Sequence, residues 1–113
     1  MPRERIAINP SDKASRMSCK LVETLGANRV ITVEEVNRYN GFAFDPEAAR
    51  DLTLPAAAKC VGAVLFISNQ ANAAEVITIK NAAGTAICTP TQNEAAIVWC
   101  DGVTWYGAVG AQS

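Results

Sequence analysis

The stretch Ala95-Ala96-Ile97-Val98-Trp99-Cys100-Asp101-Gly102-Val103-Thr104-Trp105-Tyr106-Gly107-Ala108-Val109 decides the fold. Two β-prone runs, Ala95–Cys100 and Thr104–Val109, meet across Asp101-Gly102. An Asp-Gly pair supplies the positive φ angles of a two-residue type I′ turn, whose twist matches antiparallel strands. With Asp101 and Gly102 as the turn residues, Cys100 is expected opposite Val103, Trp99 opposite Thr104 and Val98 opposite Trp105. Alternation puts Trp105 and Tyr106 on opposite faces, so Trp99, Trp105 and Tyr106 read as core packing rather than a shared sugar-stacking surface.

Working outward, the same signals recur every eight to twelve residues. Asp51-Leu52-Thr53-Leu54-Pro55 alternates and is closed by proline, as an edge strand or a strand end would be. Ala63-Val64-Leu65-Phe66-Ile67-Ser68 is a continuous apolar run between Gly62 and Asn69, short enough for a strand buried on both faces. Glu75–Lys80 alternates, with Ile77 and Ile79 on one face, and Asn81-Ala82-Ala83-Gly84 turns the chain into Thr85–Thr89. This spacing predicts an all-β protein, an antiparallel β-sandwich or small barrel.

The region Leu21–Asp51 is less regular. Arg29–Val33 is β-branched, and Thr32 with Glu35 three residues on has the form of a helix capping box, good for one turn. Phe42 and Phe44 share one side of a short extended piece ending at Asp45-Pro46. Residues 1–20 read as an extended N-terminal arm: they contain Pro2 and Pro10, a turn signal at Asn9–Asp12, and five basic residues against two acids. Arg3, Arg5, Ile6, Ile8, Lys13 and Arg16 are its candidate contact residues. Ile6 and Ile8 alternate as a strand added to a neighbour's edge would, and twenty extended residues reach roughly 60 Å. Residues 21–113 form the single β-rich domain, since 113 residues leave no room for a second core.

Composition narrows the function. Ten basic and eleven acidic side chains give a net charge of −1, without the basic excess of a nucleic-acid binder. The chain has no histidine, which removes the commonest general base and metal ligand. Cys19, Cys60, Cys88 and Cys100 show no Cys-x-x-Cys spacing and so no structural zinc site, and with no secretion signal they are expected reduced. Asp45, Glu47, Asp51, Glu75, Glu94 and Asp101 offer no evident acid–base pair, and Gly107–Gly110 has no helix to follow it, so no dinucleotide fingerprint. The expectation is a non-enzymatic protein with no cofactor, no metal, no nucleic acid and no membrane span. Charge is also unevenly placed: residues 1–50 hold fifteen charged side chains, and residues 51–113 only six. A quarter would be ordinary, and interface cores are depleted in charge, so the second segment is expected to be partly covered by a partner.

The run Leu52-Thr53-Leu54-Pro55-Ala56-Ala57-Ala58, then Gly62 and an apolar strand, then Ile77-Thr78-Ile79, Gly84-Thr85-Ala86-Ile87 and Asp101-Gly102-Val103-Thr104-Trp105-Tyr106, resembles a pattern of small all-β virion proteins of tailed bacteriophages. It covers roughly residues 51–107. The resemblance implies a structural module of the decoration, head-fibre or tail-fibre type, commonly trimeric. From it follows the expectation of a homotrimeric capsid decoration (cement) protein, made in the host cytoplasm and bound to the major capsid protein on the capsid exterior. A fibre or baseplate module and a carbohydrate-binding β-sandwich are the alternatives. The resemblance implies no catalytic residue.

Overall fold

The structure, a computed structural model, describes residues 16–111. The chain first winds back and forth between two sheets. It runs through β1 (Glu23–Leu25) and β2 (Arg29–Val30), helix α1 (Val33–Arg38), then β3 (Gly41–Pro46), β4 (Arg50–Thr53), a 3-10 turn (Ala57–Lys59), β5 (Val64–Asn69) and β6 (Ile77–Lys80). Odd strands of this series go to one sheet and even strands to the other, and every return is parallel: β1 to β3, β3 to β5, β2 to β4, β4 to β6. Parallel neighbours need a crossover of a dozen or more residues. Here the crossover is the strand laid down in the opposite sheet.

After β6 the chain switches to hairpins. β7 (Ala86–Cys88) folds back antiparallel on β6, β8 (Glu94–Cys100) adds antiparallel to β5, and β9 (Trp105–Ala111) adds antiparallel to β8. The sheets therefore run β1-β3-β5-β8-β9 and β2-β4-β6-β7. The all-β character expected from the sequence holds. The antiparallel sandwich or barrel is corrected: among the described residues four ladders are parallel and three antiparallel, and neither sheet closes on itself. β4 is an interior strand, with Pro55 beyond its end.

Both sheets contribute to one core. Alternation turns Leu65 and Ile67 of β5, Ala96 and Val98 of β8, Phe42 and Phe44 of β3, Leu52 of β4, and Ile77 and Ile79 of β6 inward. Removing these side chains from water, at about 25 cal/mol per Å², is the main favourable term of folding. Asn69 is the one buried polar residue among them, and its amide is satisfied three times: Nδ2 donates to the carbonyls of Glu75 and Pro90, and Oδ1 accepts from the Ala71 amide. It ties the end of β5 to both loops that leave that end of the core.

A charged cluster closes the other side of the first coil. The Arg29 guanidinium forks onto Glu23 (2.9 Å) and Glu35 (2.7 Å) and lies 5.8 Å over the Phe44 ring. Glu35 also accepts from the Thr32 amide, while the Thr32 hydroxyl accepts from the Glu35 amide, completing the capping box of α1. The helix runs to Arg38, six residues rather than a single turn, and this cap cuts β2 short at Val30.

Hydrogen bonds from Arg29, above all, hold the Glu35 carboxyl down to about 2, and the Glu23 carboxyl is also lowered. Groups whose folded pKa lies below the unfolded value, ordinarily about 4.3 for Glu, contribute stability at neutral pH and lose it as pH falls toward the folded value. Chemical-denaturation curves of the native protein are expected to lose stability steadily from about pH 4.5 to pH 2. Glu35→Gln, less stable by roughly 1–2 kcal/mol at pH 7, is expected to show a shallower fall over the same window.

Candidate interaction surface

Strands β5, β8 and β9 bury one face and leave the other bare. Their outward positions are Val64, Phe66 and Ser68; Ala95, Ile97 and Trp99; and Tyr106, Ala108 and Gly110. Register aligns these positions in rows: Val64, Trp99 and Tyr106 in one, Phe66, Ile97 and Ala108 in the next, Ser68, Ala95 and Gly110 in the third. None of the nine is charged. Ile97, Trp99 and Tyr106 are each more than 40% exposed. The run Ala63–Ser68, expected to be buried on both faces, is thus buried on one. A single exposed apolar residue needs no explanation, whereas a contiguous set of this kind makes the face a candidate interaction surface.

Shallow hollows flank Phe66. One, about 330 Å³, is floored by Ala95, Ala108 and Gly110; the other, about 300 Å³, lies toward Met17, Cys19 and Ala43. Small residues create both hollows, since each leaves the backbone uncovered beside a large neighbour. The chain enters this second region through Ser18–Lys20, which hydrogen-bond alongside Asn40 and Gly41. Gly41 lets the two segments approach closely: a Cβ there would come within 2.5 Å of the Cys19 thiol, which would have to swing aside.

The hairpin that sets this face differs from the two-residue turn expected. Cys100 pairs with Trp105, Trp99 with Tyr106 and Val98 with Gly107, so the loop is the four residues Asp101–Thr104 and the register is displaced by two. Only Gly102 has positive φ (96°), where a type I′ turn requires two such residues. The longer loop is held by Asp101, whose Oδ1 accepts from the amides of Val103 (2.8 Å) and Thr104 (2.7 Å). Those bonds favour the carboxylate and lower its pKa. Val103, left in the loop, is exposed.

A displacement of two keeps every side chain on its face but changes its neighbours. Trp105 is buried, its indole N–H donating to the Pro55 carbonyl at 2.8 Å. Trp99 and Tyr106 are not core, as the sequence had suggested. They sit opposite each other on the outer face, ring centroids 5.6 Å apart and 24° between planes. The Tyr106 hydroxyl donates to Asp101 Oδ2 at 3.2 Å, which ties the aromatic pair to the turn.

Among the arm residues singled out in the sequence, Arg3, Arg5, Ile6, Ile8 and Lys13 lie outside the described residues, and Arg16 is exposed. The carboxylates are dispersed and occupied with the fold: Asp51 pairs with Lys80, Glu94 accepts from the Thr91 amide, and Asp101 shapes its turn. Asp45 and Glu75 each keep one buried, unpartnered oxygen. Among the described residues no group of three Asp, Glu or Cys side chains could hold a metal ion, and no helix is long and apolar enough to cross a membrane. The four cysteines are unbonded, and burial raises the thiol pKa of Cys60 and Cys88. Compared with known proteins, the chain matches no family model, no curated protein and no solved structure.

The turn geometry has a direct consequence. At φ 96° a side chain on Gly102 is strained, and its Cβ would come within 2.8 Å of Val61. Gly102→Val is expected to cost roughly 2–3 kcal/mol, and Gly102→Asn clearly less, because Asn reaches positive φ more readily. Thermal melts of the two variants check it; equal losses would contradict the turn described.

Proposed function

We propose that this protein is a non-enzymatic structural component of a tailed-bacteriophage virion, a capsid decoration (cement) protein that lays the outer face of β5, β8 and β9 against the major capsid protein on the shell exterior. The observation that carries the reading is the uncharged, apolar sheet face centred on Phe66, Ile97 and Trp99. A folded chain leaves such a face uncovered when a partner covers it. The resemblance of residues 51–107 to phage virion modules supplies the kind of partner. Many copies on one shell need only modest affinity each, because contacts made in concert reinforce one another. The basic-leaning segment before Met17 would add a second contact.

One observation favours a second reading. Trp99 and Tyr106 are exposed side by side, as sugar-binding aromatics are. Their rings lean face to face on each other, however, whereas stacking along a glycan calls for rings laid out in a common plane. The decoration reading is therefore preferred.

The test is co-sedimentation with capsids assembled without this protein. Ile97→Asp and Trp99→Ala are expected to reduce capsid binding tenfold or more. Lost strand propensity at Ile97 and the lost ring stack at Trp99 should each cost roughly 1–2 kcal/mol, and circular dichroism is expected to show both variants folded. Undiminished binding by both folded variants would sink the assignment of this face, and retention of the native chain on immobilised polysaccharide, lost in Trp99→Ala, would favour the glycan reading instead.

A further inference from the structure

β9 is one edge of its sheet, and it is unlike the other edges. β1, β2 and β7 are three, two and three residues long, and β1 and β2 carry Glu23 and Arg29. β9 is seven residues, Trp-Tyr-Gly-Ala-Val-Gly-Ala, with no charge and no proline. Proteins ordinarily protect a long edge with charge, proline or a covering loop, because its unpaired backbone is a template for another strand.

Which backbone groups stand free follows from the ladder. The Cys100 amide donates to the Ala63 carbonyl (3.0 Å), and the Cys100 carbonyl accepts from the Gly62 amide (2.9 Å), so Cys100 faces β5 with both groups. Alternation turns the groups of Trp99 toward Tyr106, and those of Tyr106, Ala108 and Gly110 toward β8. The groups of Gly107 and Val109 then point out of the sheet, and no other described residue hydrogen-bonds to them. Val109 adds a second sign. Its side chain is on the inward face, opposite the fully buried Ala96, yet it is 41% exposed.

We infer that β9 is the contact between two copies of this chain, paired antiparallel about a two-fold axis at Ala108. This register uses all seven residues. Gly107 and Val109 of the partner subunit exchange N–H···O bonds in both directions, and each Val109 is covered. On the outer face Tyr106 comes opposite Gly110 of the partner subunit, where the space a Cβ would occupy is open for 4 Å around, room enough for the ring. The strand is complementary to itself: the edge is uncharged, Tyr106 of each copy meets Gly110, and Trp105 meets Ala111. The inference stands apart from capsid binding and would hold for a chain that bound no capsid. It replaces the three-fold association implied by the phage resemblance with a two-fold one.

The test uses the full chain. Light scattering at micromolar concentration is expected to give twice the 12.0 kDa chain mass, and Val109→Pro, which removes an edge donor that the subunit itself does not use, is expected to return the single-chain mass with little change in melting. In Ala108→Cys, the two introduced thiols face each other at a Cα separation of about 4.5 Å, within disulfide range. Oxidised glutathione should join them, two thiols giving one disulfide while glutathione disulfide is reduced to two glutathiones. A single-chain or threefold mass for the native protein overturns the inference. So does a dimer whose Ala108→Cys variant cross-links no better than the native chain with its own exposed Cys19.

Discussion

β5 carries both halves of the molecule. On one side it accepts β3 in parallel, with Gly41 beside Phe66 and Phe44 beside Asn69; on the other it accepts β8 antiparallel, with Phe66 beside Ile97. Its inward row, Leu65, Ile67 and Asn69, lies at the centre of the shared core and is almost wholly excluded from solvent. Two-thirds of that row is hydrophobic packing; the remainder is the Asn69 amide, which fastens the loop after β5 and the turn before β8 to the same point. Loss of that alternation would separate the wound strands from the terminal hairpin.

The same alternation creates the uncharged outer face. Because β5, β8 and β9 each send every second residue outward, a core-facing row of Leu, Ile, Ala and Val obliges an outward row at the intervening positions, and here those positions are uncharged and, Ser68 and the Tyr106 hydroxyl apart, apolar. The second sheet differs: Thr78 and Lys80 of β6 and Asp51 of β4 face outward there, and Lys80 and Asp51 form an ion pair. One side of the molecule is thus charged and polar, and the other uncharged and largely apolar.

Much of this was legible from residue pattern, and the reasons for the rest are physical. Strand existence at 63–68, 75–80 and 95–100 was readable from alternation and β-branching, and the Thr32/Glu35 capping box from its spacing. Strand direction was not. Alternation is the same in parallel and antiparallel ladders, and Asp101-Gly102 advertises only the local hairpin, so β1 to β6 took on an antiparallel character from the one turn that could be read. The loop length at Asp101 was misjudged because the Asx geometry of its carboxylate holds four residues as well as a type I′ turn would hold two. That displacement hid the Trp99–Tyr106 pair, although the low charge of residues 51–113 is in keeping with the uncharged outer face of β5, β8 and β9.

The most direct test of the central claim is hydroxyl-radical footprinting of the chain free and bound to capsids assembled without it. Trp99 and Tyr106, both solvent-exposed on the free chain, are expected to lose most of their reactivity on binding, while Tyr39 by the helix keeps its own and buried Trp105 stays low in both states. Unchanged labelling of Trp99 and Tyr106, with protection appearing at Tyr39 or on the β2-β4-β6-β7 sheet, would contradict the account.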